Sequence, residues 1–178
     1  NSASVTGKND DGSVNISNLG GIVGHLDNSN VSSVINAGNI YGEKSTGGLV
    51  GNVNNDTMPT NTKTLANSYN KGQVSGIDNT GGIAGEATNA SFDTVYNTNE
   101  SSTLSGNLAA LNADLSAIKA YYADSHNQSN SGKITGTGQN TGGLVGLAEN
   151  TTIDKAYNAG NVTGTANTGG LVGQMTGS

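Results

Sequence analysis

Apolar residues in this chain come singly or in pairs, framed by glycine, and the frame repeats. Gly38-Asn39-Ile40-Tyr41-Gly42, Gly72-Gln73-Val74-Ser75-Gly76, Gly132-Lys133-Ile134-Thr135-Gly136 and Gly160-Asn161-Val162-Thr163-Gly164 each place one β-branched residue centrally, with glycine at both ends. Mostly polar residues flank the centre, which is period-two alternation. It predicts short strands with Ile40, Val74, Ile134 and Val162 in one inward column. The flanking glycines fall on the same face, where a tight coil leaves little room.

A second phrase, Thr168-Gly169-Gly170-Leu171-Val172-Gly173, recurs at Thr141 to Gly146, Thr80 to Gly85, Thr46 to Gly51 and Leu19 to Gly24. Its two adjacent apolar residues would point to opposite faces of a regular strand. Either both faces are covered or a bulge turns one residue inward. Glycines at 169 and 170 are expected to serve backbone geometry or close approach rather than binding, so Gly170→Val should cost about 1–3 kcal/mol if that position has positive φ or a crowded corner. A third segment, Ile153 to Asn158, has relatives at Val31 to Asn36, Leu65 to Asn70 and Phe92 to Asn97. Its closing asparagines, Asn36, Asn70, Asn97 and Asn158, suit an amide ladder between stacked coils. They also suit left-handed turn positions, and the two readings are compatible.

The first glycines of the pairs, at 20, 47, 81, 142 and 169, are separated by 27, 34, 61 and 27 residues. The period is therefore about 27. The gap of 34 holds an insertion at Asn54 to Thr62 with the only proline. The gap of 61 is close to two periods and suggests a degenerate copy, opening at Phe92 to Asn97 and continuing at Ser102 to Gly106 without its glycine pair. Units this short cannot bury a core alone, whereas stacked neighbours can. Three short strands per repeat predict an all-β, three-sided parallel β-solenoid forming a single repeat domain over residues 1–178. Hairpin arrays are disfavoured, because two-residue hairpins favour Asn-Gly and no asparagine here precedes glycine.

One segment departs from this pattern. Residues 107–122 lack glycine, and Leu108, Leu111, Leu115, Ile118 and Tyr122 recur at helical spacing, with Asn107 placed as an N-cap. This predicts an inserted amphipathic helix docked on the solenoid. Residues Ile118 to Tyr121 also resemble Asp154 to Tyr157, so the helix is expected to hand over to a strand near Ile118.

Composition narrows the functional classes. Few aromatics and high polarity would suit disorder, but the apolar columns oppose it. The chain has net charge −6, and its seven basic residues are all lysine. Nucleic-acid binding is not expected, since phosphate neutralisation needs clustered Lys or Arg. No run reaches the length of a membrane-spanning helix. Cysteine is absent, which removes disulfides and thiolate metal sites. The chain begins and ends within a repeat, as expected of an excised or mature piece.

Candidate chemistry is sparse. Asn9-Asp10-Asp11-Gly12 could bind calcium or form a turn, and it lacks EF-hand spacing. His25 and His126 lie in no zinc-peptidase arrangement. Asp124-Ser125-His126 has the residue types of a hydrolase triad, but adjacency in sequence is not triad geometry, and a polar loop is the better reading. The acids fall mostly at unrelated repeat positions. A row of threonines suited to ice binding begins with Thr135, Thr137, Thr163 and Thr165, and Tyr41 to Glu43, Ser75 and Ile77 interrupt it. Sequons at Asn15, Asn30, Asn89, Asn150 and Asn161 allow glycosylation without indicating it. The sequence reads as non-enzymatic, with no catalytic, metal or cofactor residues to assign.

The Gly-Gly-Leu-Val-Gly core and the phrase Ala-Tyr-Asn-x-Gly-x-Val-x-Gly resemble the GLUG-motif repeat. That repeat occurs in large secreted bacterial surface proteins, including filamentous-haemagglutinin-like adhesins and the non-catalytic region of immunoglobulin A-cleaving metallopeptidases. The likeness covers most of residues 20–51, 65–97 and 132–173 and excludes the helical insert. It implies an extracellular or cell-surface bacterial origin and a solenoid scaffold, with no active site to carry over. The expected function is a structural repeat module of an adhesin or surface filament. Its expected partners are further repeats, copies of itself end to end, or host or matrix glycans. The alternative is a carbohydrate-binding or carbohydrate-cleaving module.

Overall fold

The computed structural model describes residues 1–7, 16–57, 59, 62–98 and 132–177. These form an all-β parallel solenoid, and every strand pairing among them is parallel. The first four turns of the solenoid each contribute to four ladders, not three. Ladder A stacks Val5–Thr6, Ile40–Tyr41, Val74–Gly76, Ile134–Gly136 and Val162–Thr163. Ladder B stacks Ser17–Gly20, Lys44–Gly47, Asp78–Gly81, Thr141–Gly142 and Thr168–Gly169. Ladder C stacks Val23–Asp27, Val50–Asn54, Ala84–Thr88, Val145–Glu149 and Val172–Thr176. Ladder D is made by Val31–Ser32 with Ile35–Asn36, then Leu65–Asn70, Ser91–Asn97, and Thr152–Asp154 with Tyr157–Asn158.

The fourth ladder comes from the glycine phrase, which does not make one strand. Ladder B stops at Gly47 and ladder C starts at Val50. At the break, the N–H groups of Leu49 and Val50 both donate to the Ile83 carbonyl, each at 3.0 Å. Ile83 and Ala84 do the same to Leu144, and Leu144 and Val145 to Leu171. Two residues opposed to one acceptor make a bulge, and it turns both members of the apolar pair inward. Leu49, Val50, Ile83, Ala84, Leu144 and Val145 are all fully buried in one cluster with Val53, Leu65, Phe92 and Val95.

The expected inward column on ladder A is present. Val5, Ile40, Val74, Ile134 and Val162 are aligned by register, and the middle three form a second, smaller apolar cluster with no solvent exposure. The glycine closing each of these strands yields to a threonine of the next strand. A Cβ on Gly76 would collide with Thr80 Oγ1, and one on Gly136 with Thr141 Oγ1.

Kinks within the coil are set by left-handed residues rather than by glycine. Asn18, Ser45, Asn79, Asn140 and Asn167 all have positive φ, and each lies two residues before the first glycine of a pair. Ser33, Asn67, Thr94 and Lys155 form a second such column inside ladder D, and Asn28, Asn89 and Asn150 a third. Asparagine tolerates this region better than most residues. The ladder asparagines Asn36, Asn70, Asn97 and Asn158 do not share it, so the amide ladder is the reading that holds.

No coil is missing between Gly81 and Gly142 among the described residues. Those two glycines pair directly, as do Val74 and Ile134. Phe92 to Asn97 closes the third coil against Leu65 to Asn70 and opens no further copy. The described residues stop at Thr98 and resume at Gly132. The predicted helix at 107–122, the segment Ser102 to Gly106, Asp124-Ser125-His126 and Asp10-Asp11 all lie outside the described residues.

Candidate functional site

Asn36 and Asn70 make the same set of bonds, and Asn97 and Asn158 make most of it. Asn36 Nδ2 donates to Asn70 Oδ1 at 2.9 Å and to the Gly38 carbonyl at 2.8 Å, and its Oδ1 accepts from the Gly38 N–H at 3.2 Å. Asn70 Nδ2 continues to Asn97 Oδ1 at 2.9 Å and to the Gly72 carbonyl at 2.7 Å. Asn97 Nδ2 reaches Asn158 Oδ1 at 2.7 Å, and the Gly132 carbonyl stands in for the glycine two residues on. Asn36, Asn70 and Asn97 have no solvent exposure. A buried amide is tolerated only when satisfied, and here the next coil supplies the partner. The chain's most repetitive polar chemistry is thus spent on stacking.

Beside this ladder runs an aromatic one that the sequence reading did not isolate. Tyr69 stacks on Tyr96 with centroids 5.6 Å apart, and Tyr96 on Tyr157 at 5.2 Å. Its signal was a tyrosine immediately before three of the four ladder asparagines. The first coil carries Ile35 there instead.

Two polar grooves run along the flanks. One, of about 500 Å³, lies where ladders B and C meet and is lined by Lys44, Asp78, Asn79, Glu86, Gln139 and Asn140, among others. Glu86 Oε2 accepts from Ser45 Oγ at 2.9 Å and from Asn79 Nδ2 at 3.3 Å. Asp78 Oδ1 accepts the Gln139 N–H at 2.8 Å. A second amide series borders this groove: Asn140 Nδ2 donates to Asn79 Oδ1, and Asn167 Nδ2 to Asn140 Oδ1, each at 2.8 Å. Asp78 and Glu86 occupy unrelated repeat positions, yet the fold brings both to this groove. The other groove, of about 410 Å³, lies under the insertion before Thr64 and holds Asp56, whose carboxylate accepts from Asn54 and Asn89.

His25 sits exposed on ladder C beside Asn52. Among the described residues no three His, Cys, Asp or Glu side chains are grouped to hold a metal ion. The outward row of ladder A reads Thr6, Tyr41, Ser75, Thr135 and Thr163, so Tyr41 and Ser75 break the threonine array in space as in sequence. Asn30, Asn89, Asn150 and Asn161 are exposed. Carboxylates, amides and hydroxyls in these grooves can exchange hydrogen bonds with a polyol. No family model, curated protein or solved structure matches the chain.

Proposed function

We propose that this chain is a structural repeat module of a bacterial extracellular adhesin or cell-surface filament, setting length and spacing rather than performing chemistry. The observation carrying this reading is the Asn36–Asn70–Asn97–Asn158 ladder. Its amides are satisfied by neighbouring coils, as the backbone of ladders A to D is. A module of this kind transmits position along an axis, and the resemblance to GLUG-motif repeats agrees with an extracellular setting. Small-angle scattering of chains with added turns should show a particle lengthened by about 5 Å per turn. A glycan array with a turnover assay should give neither saturable binding nor product.

A carbohydrate-binding reading is favoured by one observation, the convergence of Asp78 and Glu86 on the groove between ladders B and C. Saturable glycan binding lost in both Asp78→Asn and Glu86→Gln would replace the purely structural reading with this one.

A further inference from the structure

We propose that the groove under the second-coil insertion is a site for a hard divalent cation of the calcium type, held by Asp56 and by neutral side-chain oxygens from three coils.

The first observation is where the insertion lies. Asn55 and Asp56 directly follow the ladder C strand of the second coil, Val50–Asn54. Asn89 with Ser91, and Asn150 with Thr152, stand at the same corner of the third and fourth coils, where ladder C gives way to ladder D. All six residues line the groove of about 410 Å³.

The second observation is an unmet acceptor. Asn55 is 4% exposed, and its Oδ1 has no hydrogen-bond partner among the described residues. Its Nδ2 donates to Thr64 Oγ1, which also accepts the Ser91 N–H at 3.0 Å. Buried amide oxygens are normally paired, and one that is not calls for a water or an ion. The hydroxyls of Thr46, Thr80 and Thr141 are unpaired too, but they line neither groove.

The third observation is the balance of donors and acceptors. Asp56 Oδ1 accepts from Asn89 Nδ2 at 2.9 Å, and Asp56 Oδ2 from Asn54 Nδ2 at 3.1 Å. With Asn55 Nδ2 on Thr64, three amide nitrogens beside the groove are already turned to protein acceptors. No Lys, Arg or His lines it among the described residues. A carboxylate, amide oxygens and hydroxyls without a basic group suit calcium, which takes about 6–8 oxygen ligands, waters included. A polyol asks for donors as well, and an anion would meet the Asp56 charge. A single carboxylate puts the affinity at the weak end, about 10⁻⁴–10⁻³ M, as in other extracellular modules. An ion bound here ties the insertion to the third and fourth coils, so its effect is read in stability.

Thermal unfolding of the full chain in calcium chloride, against sodium chloride of equal ionic strength, tests this. We expect the native midpoint to rise with calcium, with half the effect at about 10⁻⁴–10⁻³ M, and to be indifferent to sodium. Asp56→Asn should lose the calcium response. Asp154→Asn, which alters an exposed acid of ladder D paired with Lys155, should keep it. Asn55→Asp adds charge at the unmet oxygen and should lower the half-effect concentration by about tenfold, because ligand charge tunes such sites. A native midpoint that moves no further in calcium than in sodium overturns the proposal. So does a response that survives in Asp56→Asn, or one that Asn55→Asp leaves unchanged. Calorimetric titration of calcium into the native chain keeps the test independent of how well the variants fold: a native chain that takes up no calcium overturns the proposal whatever they do.

Discussion

A β-carbon placed on Gly82 would lie 2.6 Å from Cγ of Asn97, and it would also strike the carbonyl of Gly143 in the next coil. The glycine pair and the asparagine ladder are thus two halves of one corner. The amide fills the space that the missing side chain leaves, and neither element fits without the other.

Gly82→Ala should accordingly destabilise the chain by about 1–3 kcal/mol, the usual range for an overpacked interior. Neither Gly82 nor Gly170 has positive φ, so the cost is steric. The condition for a loss at Gly170 is not met among the described residues, where a Cβ at that position has nothing within 4 Å. Thermal unfolding of Gly82→Ala beside dilute Gly170→Val checks this, and equal midpoints would remove the steric account.

Asn70→Ala removes both donors and the acceptor of a fully buried amide, leaving Asn36 Nδ2, Asn97 Oδ1 and the Gly72 backbone without their partner. An unmet buried polar group costs about 1–3 kcal/mol, and several are created at once. We expect a loss of at least about 3 kcal/mol in denaturant unfolding. A loss below that of an ordinary surface substitution would mean that the ladder is not a stacking element.

Ile134→Ala tests the smaller cluster. Ile134 packs in line with Val74 and Val162 and has no exposure. Truncation should cost about 2–5 kcal/mol, read as a lower unfolding midpoint with an unchanged β-sheet spectrum.

Residues 99–131 number 131 − 99 + 1 = 33, and removing them joins Asn97-Thr98 directly to Gly132. That junction reproduces Asn36-Ala37-Gly38, and Asn97 Nδ2 already donates to the Gly132 carbonyl as Asn36 Nδ2 does to Gly38. The shortened chain should keep its circular dichroism per coil and unfold cooperatively. An unfolded product would show that the excised segment holds the third and fourth coils together.

The period, the parallel stack and the inward column from Ile40 to Val162 were legible because hydrophobic alternation records which side chains face in. The number of ladders was not. It depends on backbone conformation at Ser45, Asn79 and their equivalents, where polarity carries no sign of φ. An asparagine or serine two residues before the first glycine of every pair was already visible; its left-handed state was not. The supposed degenerate copy arose from Phe92 to Asn97, which resembles other ladder D strands because it is one. A gap of 61 reads equally as one period with added residues or as two worn periods, and register alone separates the two. The groove at Glu86 was hidden for a related reason: Asp78 and Glu86 meet only after the bulge at Ile83 turns the chain.

Because successive coils meet through parallel strand edges together with the amide, tyrosine and apolar stacks, a pull along the solenoid axis loads those contacts a few at a time. The weakest response of such a rod is to unspool from an end. Each released turn of 27 residues gives up about 5 Å of stack and yields up to about 90 Å of extended chain. A tether built this way lengthens in steps under load, holding its remaining coils intact while it dissipates the work of the pull.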